Sequence, residues 1–202
     1  IKKSSKKLLK SFPNLKIIPK YCDYIKYIKL PKNISNTKIG FFLGSSIGNF
    51  YNGEEKKFLI NAKKTLGKKS FLFIGVDLIK NVKILEKAYN DKKKFTEKFN
   101  LNLLNVIKKN FKINIKLKDF YYISSYNDKK ECMENFIVSK KNLLFKIKNK
   151  KIYFKKNEKI QTEISNKFTI LKFKRVIKAT RWKLKKYWID SKKYYAVFLL
   201  ES

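Results

Sequence analysis

The chain runs to 202 residues with 44% hydrophobic and 15% aromatic content, enough to bury a sizeable core in one domain or in a domain plus an insertion. It has no histidine, and Cys22 and Cys132 have neither metal-ligand nor disulfide spacing, so zinc sites, Ser-His-Asp triads and Cys-His dyads are excluded within it; a reducing, cytoplasmic setting is expected. The net charge of +36 comes from 49 lysines spread along the whole chain and only two arginines, Arg175 and Arg181. Drift toward A/T-rich codons accounts for that better than a dedicated polyanion face, which would favour arginine's planar fork. The expected nucleic-acid interaction is therefore non-specific only. No signal-like or 18-residue apolar stretch appears, so no membrane partner is expected.

In chain order, residues 15–18 (LKII) and 39–43 (IGFFL) are short apolar runs bounded by turn residues, expected as strands buried on both faces. Glu54 and Glu55 open a helix carrying Phe58, Leu59, Ala62 and Leu66, with Gly67 as its C-terminal cap. "SFLFIGVD" is the next buried strand and ends at Asp77. All six glycines lie between positions 40 and 75, and the texture changes after them. Val82, Leu85 and Tyr89 mark a short helix, and Phe95, Phe99, Leu103, Val106 and Ile107 mark one face of a longer one. Beyond residue 111, "FYYISSY", "ENFIVSKK", "NLLFKIKNKKIYFKK" and "IQTEIS" read as antiparallel strands joined by Asn/Lys turns. Thr169 to Ile177 reads as a helix, and "RWKLKKYWID" with "KYYAVFLLES" as a closing hairpin.

"FLGSSIGNF", residues 42–50, empties a strand into a Gly/Ser turn just before a helix. That puts backbone at the carboxyl edge of a parallel sheet, where open α/β folds bind ligands. The same residues also suit an ordinary Asn-rich turn capping the helix at residue 54, and they match neither G-x-G-x-x-G nor a P-loop.

Together with "FLGSSIGNF", the stretches "GVDLIKNVKILEKAYND", "FTEKFNLNLL", "IQTEISNKF" and "WIDSKKYYAVFLL" resemble, in order, the S-adenosylmethionine-dependent histidine N-alpha-methyltransferases of ergothioneine biosynthesis. The resemblance implies an α/β fold: a Rossmann-like class I methyltransferase sheet with an inserted α+β substrate domain. Residues 1–78 and 167–202 would form the methyltransferase domain, and 79–166 the inserted substrate-binding domain.

It also implies roles. In "YCDY", Asp23 would accept from the adenine amino group of S-adenosyl-L-methionine while the backbone at Tyr24 contacts the ring. Gly44 and Asn49 would line the amino-acid end of the substrate, joined there by Tyr89. Glu163 and Ser165 alternate in "TEIS", so they share one face of a strand, and they would grip the imidazole of L-histidine or the ring of a related amine. No metal and no catalytic side chain is implied: in-line methyl transfer needs a neutral amine held close to the methyl carbon. The family transfers three methyl groups, giving the betaine hercynine. The family's glycine-rich cofactor turn and its ribose-binding acidic residue have no counterpart here and would precede Ile1. The missing N-terminal third is therefore expected in a longer chain or in a separate polypeptide. A lysine-rich nucleic-acid-binding protein, or an inactive or truncated homologue, is the alternative.

Overall fold

The computed structural model describes every residue except 1, 32, 33, 36, 52 and 148. The chain opens with helix α1 (Lys2–Ser11), which buries none of its residues. Strand β1 (Ile39–Phe42) follows, and a 3-10 turn (Ser46–Asn49) closes the loop after it. Helix α2 (Glu54–Leu66) then leads into β2 (Phe71–Asp77), which pairs parallel to β1. The boundaries of α2 follow from its chemistry. Glu54 and Glu55 sit at the positive end of the helix and Lys63 and Lys64 at the negative end, and Gly67 caps it at φ 81° with its N–H on the Lys63 carbonyl.

Helices α3 (Val82–Tyr89) and α4 (Phe95–Phe111) come next. Asn81 caps α3 through its side chain, and the Asp91 carboxylate accepts from the N–H groups of Phe95 and Thr96 at the start of α4. Those bonds hold the Asp91 carboxyl below its usual range.

Three antiparallel strands, β3 (Phe120–Asn127), β4 (Cys132–Ser139) and β7 (Lys159–Asn166), form a second sheet in the order β3-β4-β7. Strands β5 (Leu143–Ile147) and β6 (Lys150–Phe154) form a separate hairpin. Helix α5 (Ile170–Ala179), capped by the Thr169 hydroxyl, and the hairpin of β8 (Lys183–Ile189) and β9 (Tyr195–Glu201) return the chain to the first sheet, whose order is β1-β2-β9-β8.

Two cores result. One joins Ile47, Leu59, Ile74, Phe173, Phe198 and Leu200 beneath α2 and α5; the other joins Leu104, Ile115, Phe120, Ile137 and Phe145.

Three expectations are corrected. Residues 15–18 form no strand, and Leu15 and Ile18 stand about half exposed: an apolar run becomes a strand only where a neighbouring ladder accepts its backbone groups, and none does here. Strand β1 is covered on one face only, so Phe41 is 66% exposed and stacks on Phe73 at 5.2 Å, with Phe73 in turn against Trp188. On α4 the buried residues are Asn100 and Leu104, with Leu101 and Ile107 packed beside them, while Phe95, Phe99, Leu103 and Val106 face outward.

Candidate functional site

The site forms where the loop after β1 meets the end of β7. Gly44, with φ 86°, turns the chain at the carboxyl end of β1, a conformation that costs glycine little. Its N–H donates to the Tyr195 hydroxyl at 2.9 Å. One residue on, the Ser45 hydroxyl accepts the Asp77 N–H at 2.8 Å, tying the loop to the end of β2. Gly48 then passes so close to β7 that an added Cβ would lie 2.8 Å from the Asn166 carbonyl oxygen. Asn166 locks this approach by donating from Nδ2 to the carbonyls of Gly48 and Phe50. The loop and the strand therefore hold each other.

On that frame Asn49 Nδ2 donates to Glu163 Oε1 at 3.0 Å, and Asn135 Nδ2 donates to Glu163 Oε2 at 3.1 Å. Asn135 is fully buried and in turn accepts from the Tyr122 hydroxyl at 2.8 Å. The same hydroxyl reaches the Tyr89 carbonyl at 3.3 Å. Burial pushes the Tyr122 phenol up to about 12.

A bulge in the β4–β7 ladder, at Asn135/Phe136, leaves Thr162 as the extra residue between Gln161 and Glu163. The Thr162 hydroxyl bonds Asn100 of α4 at 2.6 Å. That fixes one wall of a cleft of about 350 Å³ bounded by Phe99, Leu103, Val106 and Glu163. The outward face of α4 thus lines the approach to the carboxylate. Among the described residues no lysine or arginine pairs with Glu163, although the chain carries +36.

The second half of the cluster centres on Lys167, which the sequence reading missed. It continues the alternation of Glu163 and Ser165 along the same strand face, and it reaches Asp77, Tyr89 and Ser165. Phe168 donates its N–H to the Asp77 carbonyl, which sets the end of β7 alongside β2. Period-two spacing was the available signal, and a single lysine among 49 hid it.

Asn49, Tyr89, Glu163 and Ser165 are therefore brought into one hydrogen-bonded cluster, with Gly44 beside it through Ser45 and Asp77. Asp23 and Tyr24 stand apart from it. Asp23 accepts the Ile25 N–H in an exposed turn and pairs with Lys26 at 3.6 Å. Tyr24 lies on an aromatic group of Phe42, Phe50 and Phe58, with ring centroids at 5.7, 6.1 and 6.5 Å. A larger cleft, about 660 Å³, lies at the opposite end of the first sheet among Ile60, Gly67, Thr180 and Ser202 and contains none of these residues.

For a nucleoside cofactor the chain has fitting features at one end. The backbone at Gly44 has no heavy atom within 4 Å of where a Cβ would stand, leaving room for a ligand, and Tyr24 presents a half-exposed ring beside the loop's own Phe50.

A family profile described as "Histidine-specific methyltransferase, SAM-dependent" matches residues 1–202. The "Histidine N-alpha-methyltransferase" of Mycolicibacterium smegmatis is 30% identical over 129 residues, 63% of this chain and 40% of its own length. "Ergothioneine biosynthesis protein 1" of Neurospora crassa is 39% identical over 82 residues, 41% of this chain and 9% of its own. The aligned region thus spans well under half of these relatives. Among solved structures, an S-adenosylmethionine-dependent methyltransferase from Clostridium acetobutylicum superimposes with a TM-score of 0.50 at 9% identity, covering 98% of this chain and 70% of that one. At that identity the likeness bears on fold alone, and the fold is the Rossmann-like α/β arrangement of class I methyltransferases. With the family profile spanning every residue, the chain belongs to the S-adenosylmethionine-dependent, histidine-specific methyltransferase family.

Proposed function

We propose that the protein carrying this chain methylates the α-amino group of L-histidine, in successive steps to the trimethylated betaine, with Glu163 as the recognition centre for the imidazole. The observation that supports this most is a carboxylate held by two amides, with no cation pairing it among the described residues, at the wall of a cleft of about 350 Å³. Asn49 and Asn135 satisfy one lone pair on each oxygen and leave the remainder for a ring N–H. A carboxylate aimed at a donor rejects side chains that lack one, because the buried partner would go unmet. Ser165 grips the other ring nitrogen, and Tyr89 and Asn49 hold the amino-acid end. Asn49 keeps its carbonyl oxygen and second N–H for that task.

S-adenosyl-L-methionine, when bound, supplies an electrophilic methyl group on sulfonium. Asp23 and Tyr24 would hold its adenine, and the backbone at Gly44 would line the amino-acid end of the substrate beside Asn49. The protein's share of catalysis is positioning and exclusion of water. The α-amino group must be neutral to attack, and its proton leaves to water, with no side chain of the site assigned as a dedicated base.

The division into a methyltransferase domain, 1–78 and 167–202, and an inserted substrate domain, 79–166, has its support in the two separate cores. The bare apolar face at Phe41, Phe73 and Trp188 suits cover by a further segment or a separate polypeptide. A cytoplasmic setting agrees with two free cysteines, and no helix among the described residues is long and apolar enough to cross a membrane.

Calorimetry on the full-length protein, with S-adenosylhomocysteine present, tests the reading. L-histidine should bind, and Glu163→Ala should weaken it by roughly 10- to 150-fold, the value of a hydrogen bond to a charged group. Histidine binding unchanged by that substitution, or no binding by the wild type, overturns it. Mass spectrometry that resolves mono-, di- and trimethylated products checks the betaine.

A further inference from the structure

Lys167 is among the largest side chains that the fold buries completely, at 1% exposure, and is the only buried lysine among the described residues. Its three protons meet three acceptors, Asp77 Oδ2, Tyr89 Oη and Ser165 Oγ, each at 2.9 Å. An ammonium can only donate, so both hydroxyl oxygens accept from it. Each hydroxyl is left with one proton of its own, which it cannot give to Lys167.

We infer that Lys167 is a positioning residue that turns the Ser165 and Tyr89 hydroxyl protons away from itself and toward the ligand, so that the site, offering a carboxylate acceptor at Glu163 and a hydroxyl donor at Ser165, takes the imidazole ring in its neutral form. The inference rests on the histidine reading given above. A neutral imidazole has one N–H and one lone-pair nitrogen, which match Glu163 and Ser165 in turn. An imidazolium has two N–H groups. Its second one would face a hydroxyl that is already pointing its proton at the ring, with the Lys167 charge directly behind it.

The charged and titratable groups around this ammonium are Asp77 on β2 with its other partner Lys80, Tyr89 on α3, Tyr122 on β3, Cys132 on β4 and Glu163 on β7. Burial pushes the Cys132 thiol and the Tyr122 phenol up, away from the acidic range.

The test is the affinity of the full-length protein for L-histidine between about pH 5.5 and 8, with S-adenosylhomocysteine present, around an imidazole pKa of about 6.5. Wild type should lose about tenfold per pH unit below that value. In Lys167→Met the Ser165 hydroxyl is free to turn its proton away from the ring, and the loss should shrink to roughly threefold per unit or less. Ser165→Ala keeps the ammonium but removes the donor, and it should flatten the same limb, separating hydroxyl polarity from simple charge repulsion. Should Lys167→Met fail to fold, Ser165→Ala alone decides.

A slope shared by wild type and the variants, or a wild type with no acid-side loss, overturns the inference and leaves the histidine reading standing. A wild type that takes no histidine at any pH overturns both.

Discussion

Residues 12–31, which hold Asp23 and Tyr24, and the junction of residues 44–50 with β7, which holds Asn49 and Glu163, are built in opposite ways. At the junction, side chains are locked to one another: Asn166 to two loop carbonyls, Asn49 and Asn135 to Glu163, Lys167 to three partners. Residues 12–31 have no regular structure beyond turns, and Tyr21, Tyr24 and Tyr27 stand at least half exposed. They are tied down mainly by Ile25 and Ile28, which bond Asn61 and Thr65 of α2. The contrast separates two requirements. Asn49, Glu163 and Ser165 are pre-organised by this chain's own hydrogen bonds, whereas Asp23 and Tyr24 sit on a segment with few such ties.

Breaking the junction should have the largest effect. Gly48→Ala sets a Cβ 2.8 Å from the Asn166 carbonyl oxygen, a backbone atom that cannot swing aside. The loop must back away from β7, at a cost of about 1–3 kcal/mol in urea unfolding, and histidine affinity should fall with it. An unchanged midpoint would mean that loop and strand are not mutually supporting. Asn135→Ala comes next. It removes the partner of Glu163 Oε2 and leaves the Tyr122 hydroxyl only its longer bond to the Tyr89 carbonyl, at a cost of about 1–3 kcal/mol. Unlike Gly48→Ala it leaves the loop seated, so the Asn166 bonds should survive in a structure of the variant.

The same contrast explains what could be read from the sequence. Helix α2 was legible to the residue because Glu54, Glu55 and Gly67 are local signals that need no tertiary context. Glu163 and Ser165 were legible as same-face residues because strand alternation is a rule of the backbone. Residues 15–18 looked like a strand because apolar runs specify burial and not a partner. The outward residues of α4 looked like its core because Phe95, Phe99, Leu103 and Val106 outrank Asn100 in hydropathy, yet Asn100 is the one satisfied inside, by Thr96 and Thr162. Lys167 was invisible because only tertiary structure distinguishes a buried lysine from 48 others.

A pH titration sharpens the comparison with a smaller effect. Burial raises the Tyr122 phenol from 10.0 to about 12. The charged form of a phenol is the deprotonated one, so the native state holds this proton more tightly than the unfolded chain does. The stability tied to it is fully present below pH 10 and is lost as pH rises toward about 12. Urea midpoints across that window should fall, and Tyr122→Phe should reduce the slope without abolishing it, since Tyr51 and Tyr126 are also raised. An identical slope in the variant would place the alkaline loss outside the junction.

The smallest effect on stability belongs to the other region. Asp23 is exposed; its carboxylate accepts the Ile25 N–H within its own turn and pairs loosely with Lys26, whose N–H its carbonyl accepts. Such surface contacts contribute little, so Asp23→Ala should change the urea midpoint by no more than about 0.5 kcal/mol. If this carboxylate accepts from an adenine amino group, the same substitution should still weaken S-adenosylhomocysteine by roughly tenfold or more, the value of a hydrogen bond to a charged group. Stability and affinity would then come apart at Asp23, whereas at Gly48 they fall together. A variant that loses neither would leave Asp23 as a turn residue alone, and the adenine contact would have to be sought at the Tyr24 ring and its aromatic neighbours.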